Sequence, residues 1–178
     1  MRENEGKGKM MTEEQAKKRN AAEASALAYL AHGMRTEWQV RRHLSEKGYS
    51  EEIGETIRYL SELGYLDDEK YALLYLEHAV GKRHGLIRIR MELKRRGIEN
   101  EVFEKALSVY RRNRADEGET FEERIRAAEE AVRIAEGIPL SDKLIGKVGR
   151  RLRTLGYDTD SVYYAVGVMI RRKKEYEE

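Results

Sequence analysis

The sequence predicts an all-α protein: three tandem three-helix repeats stacked into an elongated curved rod. Three observations carry this. The composition is helical, with 38% charged residues, 40% hydrophobic ones and a single proline in 178 residues. Apolar residues recur at i and i+4, which places them on one face of a helix. The segment holding that pattern also repeats. TEWQVRRHLSEKGYSEEI starts at Thr36, GLIRIRMELKRRGIENEV at Gly85 and LIGKVGRRLRTLGYDTDSV at Leu144. Aligned columns pair Val40, Ile89 and Val148, then Leu44, Leu93 and Leu152, then Gly48, Gly97 and Gly156. Repeats of this length indicate a helical array in which each unit covers its neighbour's apolar face.

The elements follow in order. Residues 1–20 are polar and aperiodic and read as a disordered tail, with helical character toward Lys17. Repeat 1 spans 21–63, repeat 2 spans 64–112 and repeat 3 spans 113–174. A first helix opens each repeat: Ala21–His32, Asp67–Val80, and about 121–136. Gly137 and Pro139 end the last of these. The middle helix follows, and Thr36 with Gln39 forms a capping box at its start in repeat 1. The glycine column stops it, because glycine enters the left-handed region without strain. Ser50, Glu99 and Asp158 share the column that opens the third helix; Ser50 and Asp158 are good N-caps and Glu99 a poor one. Ile53, Ile57 and Leu60 then face inward. The ending RRKKEYEE is a fraying helix end.

Several chemistries are excluded. There is no cysteine, so disulfides, thiol catalysis and cysteine-ligated metals are out. No apolar run spans a bilayer and the start has no secretory signal, so a cytoplasmic protein is expected. Asp67, Asp68 and Glu69 read as a negatively charged first turn rather than a metal site. His32, His43, His78 and His84 show no ligand pattern, and GKRHG at 81–85 lacks the P-loop form. No cofactor and no catalytic site are expected. Trp38 shares a column with Ile87, and Tyr49 with Ile98, which reads as core rather than as a stacking platform.

Charge is more informative. Net charge is only +2, but it is blocked. Residues 49–69 are acidic; residues 81–97 and 143–153 are basic. Gln39, Arg88 and Lys147 align, as do Arg41 with Arg90, and Ser45 with Lys94 and Arg153. These columns lie opposite the apolar face of the middle helix. Stacked repeats would join them into a basic strip suited to phosphate backbones or an acidic groove. The competing reading is a solvated face with i,i+4 ion pairs, such as Arg88 with Glu92.

ALAYL and RTEWQVRRHLSEKGY in repeat 1, LGYLDDEKYA at 63–72, GLIRIRMELKRRGI at 85–98 and RRLRTLGYDTDSV at 150–162 together resemble the RecX regulatory proteins. That family modulates the RecA recombinase. The resemblance covers about Ala26 to Ile170. It implies three tandem three-helix units in a curved rod and no catalytic site; a monomer is expected. It also implies binding in the groove of RecA–single-stranded DNA filaments, with negative control of strand exchange, ATP hydrolysis and co-protease activity. Matched to its motif, Arg88, Arg90, Lys94, Arg95 and Arg96 are the first contact candidates. Arg41, Arg42, Lys147, Arg150, Arg151 and Arg153 follow from the repeat alignment. A direct nucleic-acid-binding helical module and a helical scaffold for another protein are the rival readings.

Overall fold

The computed structural model describes residues 12–116 and 122–175. Among these the chain forms nine helices and no strand. They are α1 (Glu13–Leu30), α2 (Glu37–Glu46), α3 (Ile53–Glu62), α4 (Asp68–Gly81), α5 (Leu86–Lys94), α6 (Asn100–Asp116), α7 (Glu123–Ala135), α8 (Asp142–Leu155) and α9 (Thr159–Glu175). The chain divides into two compact units, Met1–Asp67 with α1–α3 and Asp68–Glu178 with α4–α9.

The first unit is one three-helix repeat. Helix α1 starts at Glu13, ahead of the expected Ala21, because Thr12 and Gln15 form a reciprocal capping box. Residues 13–20, placed in the tail by sequence, are therefore helical; the rest of that tail, up to Met11, lies outside the described residues. The expected box at α2 is present: Gln39 N–H donates to Thr36 Oγ1 at 3.2 Å and Thr36 N–H to Gln39 Oε1 at 3.0 Å. Ser50 does not cap α3. Residues 50–52 form a turn, and α3 begins at Ile53 with no side-chain cap. Ala22, Ala26, Val40, Leu44, Ile57, Leu60 and Leu66 close the core.

The second unit holds two repeats, each with its own core. Ala72, Leu76, Ile89, Leu93, Ile98 and Phe103 lead the core of α4–α6. Ala127, Ala131, Leu144, Val148, Leu152 and Met169 lead that of α7–α9. The i,i+4 pairs Val40–Leu44, Ile89–Leu93 and Val148–Leu152 are all fully buried. Full burial of a leucine contributes about 2 kcal/mol, so each pair anchors its middle helix. The expectation that one repeat covers its neighbour's apolar face does not hold here. Within the second unit the apolar faces close separately, and the repeats meet through backbone and polar contacts.

The glycine column behaves as the sequence predicts. Gly48, Gly97 and Gly156 have φ of +84°, +81° and +88°. In each repeat the following residue donates back into the helix: Tyr49 to Leu44, Ile98 to Leu93 and Tyr157 to Leu152, at 3.0, 3.1 and 3.2 Å. That is the Schellman closure, which satisfies carbonyls left open at a helix end.

Candidate functional site

The basic columns lie on α2, α5 and α8, and the three helices treat their cations differently. On α2, Arg41 pairs with Glu37 and Arg42 with Glu46, each at 2.7 Å and one turn apart. Both arginines are exposed. Trp38, expected in the core, is 42% exposed, and the Arg42 guanidinium lies 5.7 Å from its ring centre. Trp38 stands two residues before Val40, which is about 200° around a helix of 3.6 residues per turn. Its column is therefore the outer one. Beside it the Tyr29 and His43 rings stack 4.4 Å apart, with Arg35 over Tyr29. Tyr49 does pack against the core, as its column predicts.

On α5 the outer column is again apolar. Ile87 is 49% and Met91 52% exposed. Exposed Arg90, Lys94 and Arg95 flank them. Arg90 pairs with Glu104 and lies over the Phe103 ring. Arg88 pairs with Glu92 at 2.9 Å, the i,i+4 pair anticipated from spacing. Arg96 is partly withdrawn: it lies 4.5 Å from the Tyr75 ring centre and donates to the Glu92 carbonyl at 2.7 Å. Glu92 is the hub. Burial would raise its carboxyl, but hydrogen bonds from Tyr75 and Arg88 outweigh this and hold it below the usual range. Burial and the hydrogen bond to Glu92 push the Tyr75 hydroxyl up to about 12. His84 stands 3.8 Å from Glu92; burial and the neighbouring Arg88 lower its pKa, favouring the neutral ring.

Helix α8 is the most cationic surface. Lys143, Lys147, Arg150, Arg151 and Arg153 are all exposed, and none enters an ion pair among the described residues. The core face of the helix carries Leu144, Val148, Leu152 and Leu155.

The start of α5 is seated on the end of α8. Gly85 N–H donates to the Leu155 carbonyl at 2.8 Å and Ile87 N–H to the Gly156 carbonyl at 3.2 Å. Leu86 N–H donates to Glu123 Oε1 at 2.7 Å. Open donors of one helix start thus meet open acceptors of another helix end. Burial raises the Glu123 carboxyl despite that bond. Arg126 completes the junction by donating to the carbonyls of Val80 and His84. Only glycines fit here: a Cβ on Gly85 would lie 2.2 Å from the Gly156 oxygen, and one on Gly156 2.3 Å from Arg88 Cβ.

Sequence reasoning therefore located the cations on the outer faces of the three middle helices. It anticipated the Arg88–Glu92 pair but did not sort the other paired cations, Arg41, Arg42 and Arg90, from the unpaired ones, Lys94 and Arg95 on α5 and the five on α8. It also missed the exposed apolar column Trp38, Ile87 and Met91. Position relative to the buried i,i+4 pair was the signal that could have found that column. Among the described residues no helix is long and apolar enough to cross a membrane.

Residues 22–60 match the family model of RecX, first three-helix domain, and residues 67–107 that of RecX, second three-helix domain. The chain is 31% identical over 148 residues to "Regulatory protein RecX" of Vibrio campbellii, covering 82% of this chain and 90% of that protein. It is 38% identical over 111 residues to the protein of the same name from Caldanaerobacter subterraneus, where the match spans 58% of this chain and 56% of that protein. The crystal structure of RecX from Lactobacillus salivarius superposes with a TM-score of 0.72 at 22% identity, covering 86% of this chain and 97% of that one, and shows the shared fold.

Proposed function

The chain belongs to the RecX family, and we propose that it binds filaments of RecA on single-stranded DNA and lowers their activity. Relatives carrying the name regulatory protein support the coarser role. The observation that carries the finer one is the repeated outer face of α2 and α5: exposed Trp38, or Ile87 with Met91, flanked by arginines. Tryptophan, methionine and arginine are the residues enriched where proteins meet partners. The Arg41–Glu37, Arg42–Glu46 and Arg90–Glu104 pairs are exposed and solvent-screened, so they exchange for a partner's carboxylates or phosphates at little cost.

A filament offers the same surface many times. Several weak contacts from successive repeats then act together, and avidity exceeds any single contact. A protein seated in the filament groove occludes the second DNA molecule and any repressor that must enter it. Strand exchange and co-protease activity fall by that steric event, and ATP hydrolysis falls where contacts that bridge neighbouring protomers restrain them, with no catalytic step and no cofactor. Arg90, Lys94 and Arg95 on α5 lead the contacts, with Arg88 and Arg96 behind them. Arg41 and Arg42 on α2, and Lys147, Arg150, Arg151 and Arg153 on α8, extend them.

Co-sedimentation with RecA tests the reading. The protein should pellet with RecA assembled on single-stranded DNA and stay in solution with unassembled RecA. Equal recovery with and without RecA would favour a module that binds nucleic acid alone.

A further inference from the structure

All five cations on α8 are unpaired among the described residues, whereas four of those on α2 and α5 are held by acids. Glu37, Glu46, Glu92 and Glu104 neutralise Arg41, Arg42, Arg88 and Arg90 internally. No acid does this among the described residues for Lys94 and Arg95 of α5, nor for Lys143, Lys147, Arg150, Arg151 and Arg153, which gather on the single helix α8. The charge of the α8 group is held close together without internal compensation, along about 15 Å of helix at 1.5 Å per residue.

The same helix carries two interior glycines, Gly146 and Gly149. Glycine is a poor helix former, and packing does not explain Gly149: a Cβ there would meet nothing within 4 Å. At Gly146 the nearest atom to such a Cβ is Arg150 Nη1, at 3.2 Å. The arginine therefore lies across a bare stretch of helix. Both glycines fall away from the Leu144–Val148–Leu152 face, among the cations. An acidic side chain reaches a lysine from a distance and needs no bare helix. A phosphate backbone, held by several cations at once, gains from lying close against one.

We propose that the outer face of α8, with Lys143, Lys147, Arg150 and Arg153 around Gly146 and Gly149, is a binding surface for the phosphate backbone of a nucleic-acid strand. This deepens the proposed function by dividing its labour. α8 meets phosphates, while α2 and α5 meet the protein. It rests on that function only for where the strand comes from, so it is tested on bare strand.

The experiment measures binding of a labelled oligothymidylate by fluorescence anisotropy across a salt series, without RecA. Each phosphate neutralised on a single strand contributes about 0.7 to the slope of log K against log salt. The triple variant Lys143→Gln, Lys147→Gln, Arg150→Gln should lower that slope by about 2. Lys17→Gln, Lys18→Gln, Lys105→Gln removes equal charge from cations already paired and should leave it unchanged. Gly149→Leu separates the bare surface from the charge. It should raise the melting temperature, because leucine is the better helix former, yet weaken binding several-fold. An undiminished slope in the α8 triple, undiminished binding in Gly149→Leu, or no binding by the parent overturns the proposal. If the α8 triple loses RecA inhibition but keeps its oligothymidylate slope, α8 meets acidic side chains and the proposal falls while the RecA reading stands. If the slope falls as expected but the parent leaves RecA unaffected, the RecA reading falls and the phosphate surface stands.

Discussion

A methyl group added at Gly156 should cost far more than one added at Gly48, although both glycines close a middle helix with positive φ. The two positions separate two effects. At Gly48 a Cβ meets nothing within 4 Å, so alanine there incurs only the left-handed backbone, about 1–2 kcal/mol. At Gly85 the backbone is extended, with φ −79° and ψ 159°, and alanine incurs only overlap. Its Cβ would lie 2.2 Å from the Gly156 oxygen and 2.4 Å from Tyr157 N. These are backbone atoms that cannot rotate away, and overpacking of this kind costs about 1–3 kcal/mol. At Gly156 both apply: φ is +88°, and a Cβ would lie 2.6 Å from Arg88 N. The sum is about 2–5 kcal/mol. Urea unfolding of the three alanine variants, followed by circular dichroism, should rank Gly156→Ala as the most damaging. Equal midpoints for Gly48→Ala and Gly156→Ala would show that the α5–α8 junction is loose and that the glycine column is a helix stop and nothing more.

Further outcomes follow from the same contacts. Glu123→Gln keeps an acceptor for Leu86 N–H but has no charge to bury. Because burial raises the Glu123 pKa in the fold, the parent loses stability as pH rises through that pKa. The Gln variant should therefore be at least as stable as the parent at pH 7, and Glu123→Ala should lose about 1–3 kcal/mol by leaving the amide unpaired. His84 behaves oppositely. Burial and Arg88 keep it neutral, so the unfolded chain takes the proton first as pH falls below about 6.5. Stability then drops with falling pH, and His84→Asn should flatten that drop in thermal melts. Trp38, the only tryptophan, should be readily quenched by acrylamide; a protected tryptophan would return it to the core. Replacing Arg88, Arg90, Lys94, Arg95 and Arg96 with alanine should weaken RecA inhibition, while Glu51→Gln, Glu52→Gln, Glu55→Gln leaves it nearly intact.

What could be read from sequence was what local chemistry decides. The buried i,i+4 pairs, the capping box at Thr36 and the glycine stops depend on residues within a turn or two of one another. Trp38 was misplaced because alignment with Ile87 shows that two positions are equivalent, not that either is inside. Ser50 failed as a cap because a turn over 50–52 precedes α3, and spacing alone does not reveal it. The Arg88–Glu92 pair was legible from its spacing, whereas Arg90–Glu104 joins different helices and was not. The seating of Gly85 on Gly156 was hidden for the same reason: each glycine has a sufficient local explanation, and only the folded chain brings them together.

The central claim is that this chain restrains RecA assembled on DNA. ATP hydrolysis by RecA on single-stranded DNA, with the protein titrated in, tests it most directly. The rate should fall progressively, and the α5 alanine set, still helical by circular dichroism, should need markedly more protein for the same effect. A rate unchanged at a clear excess of protein over RecA would contradict the account.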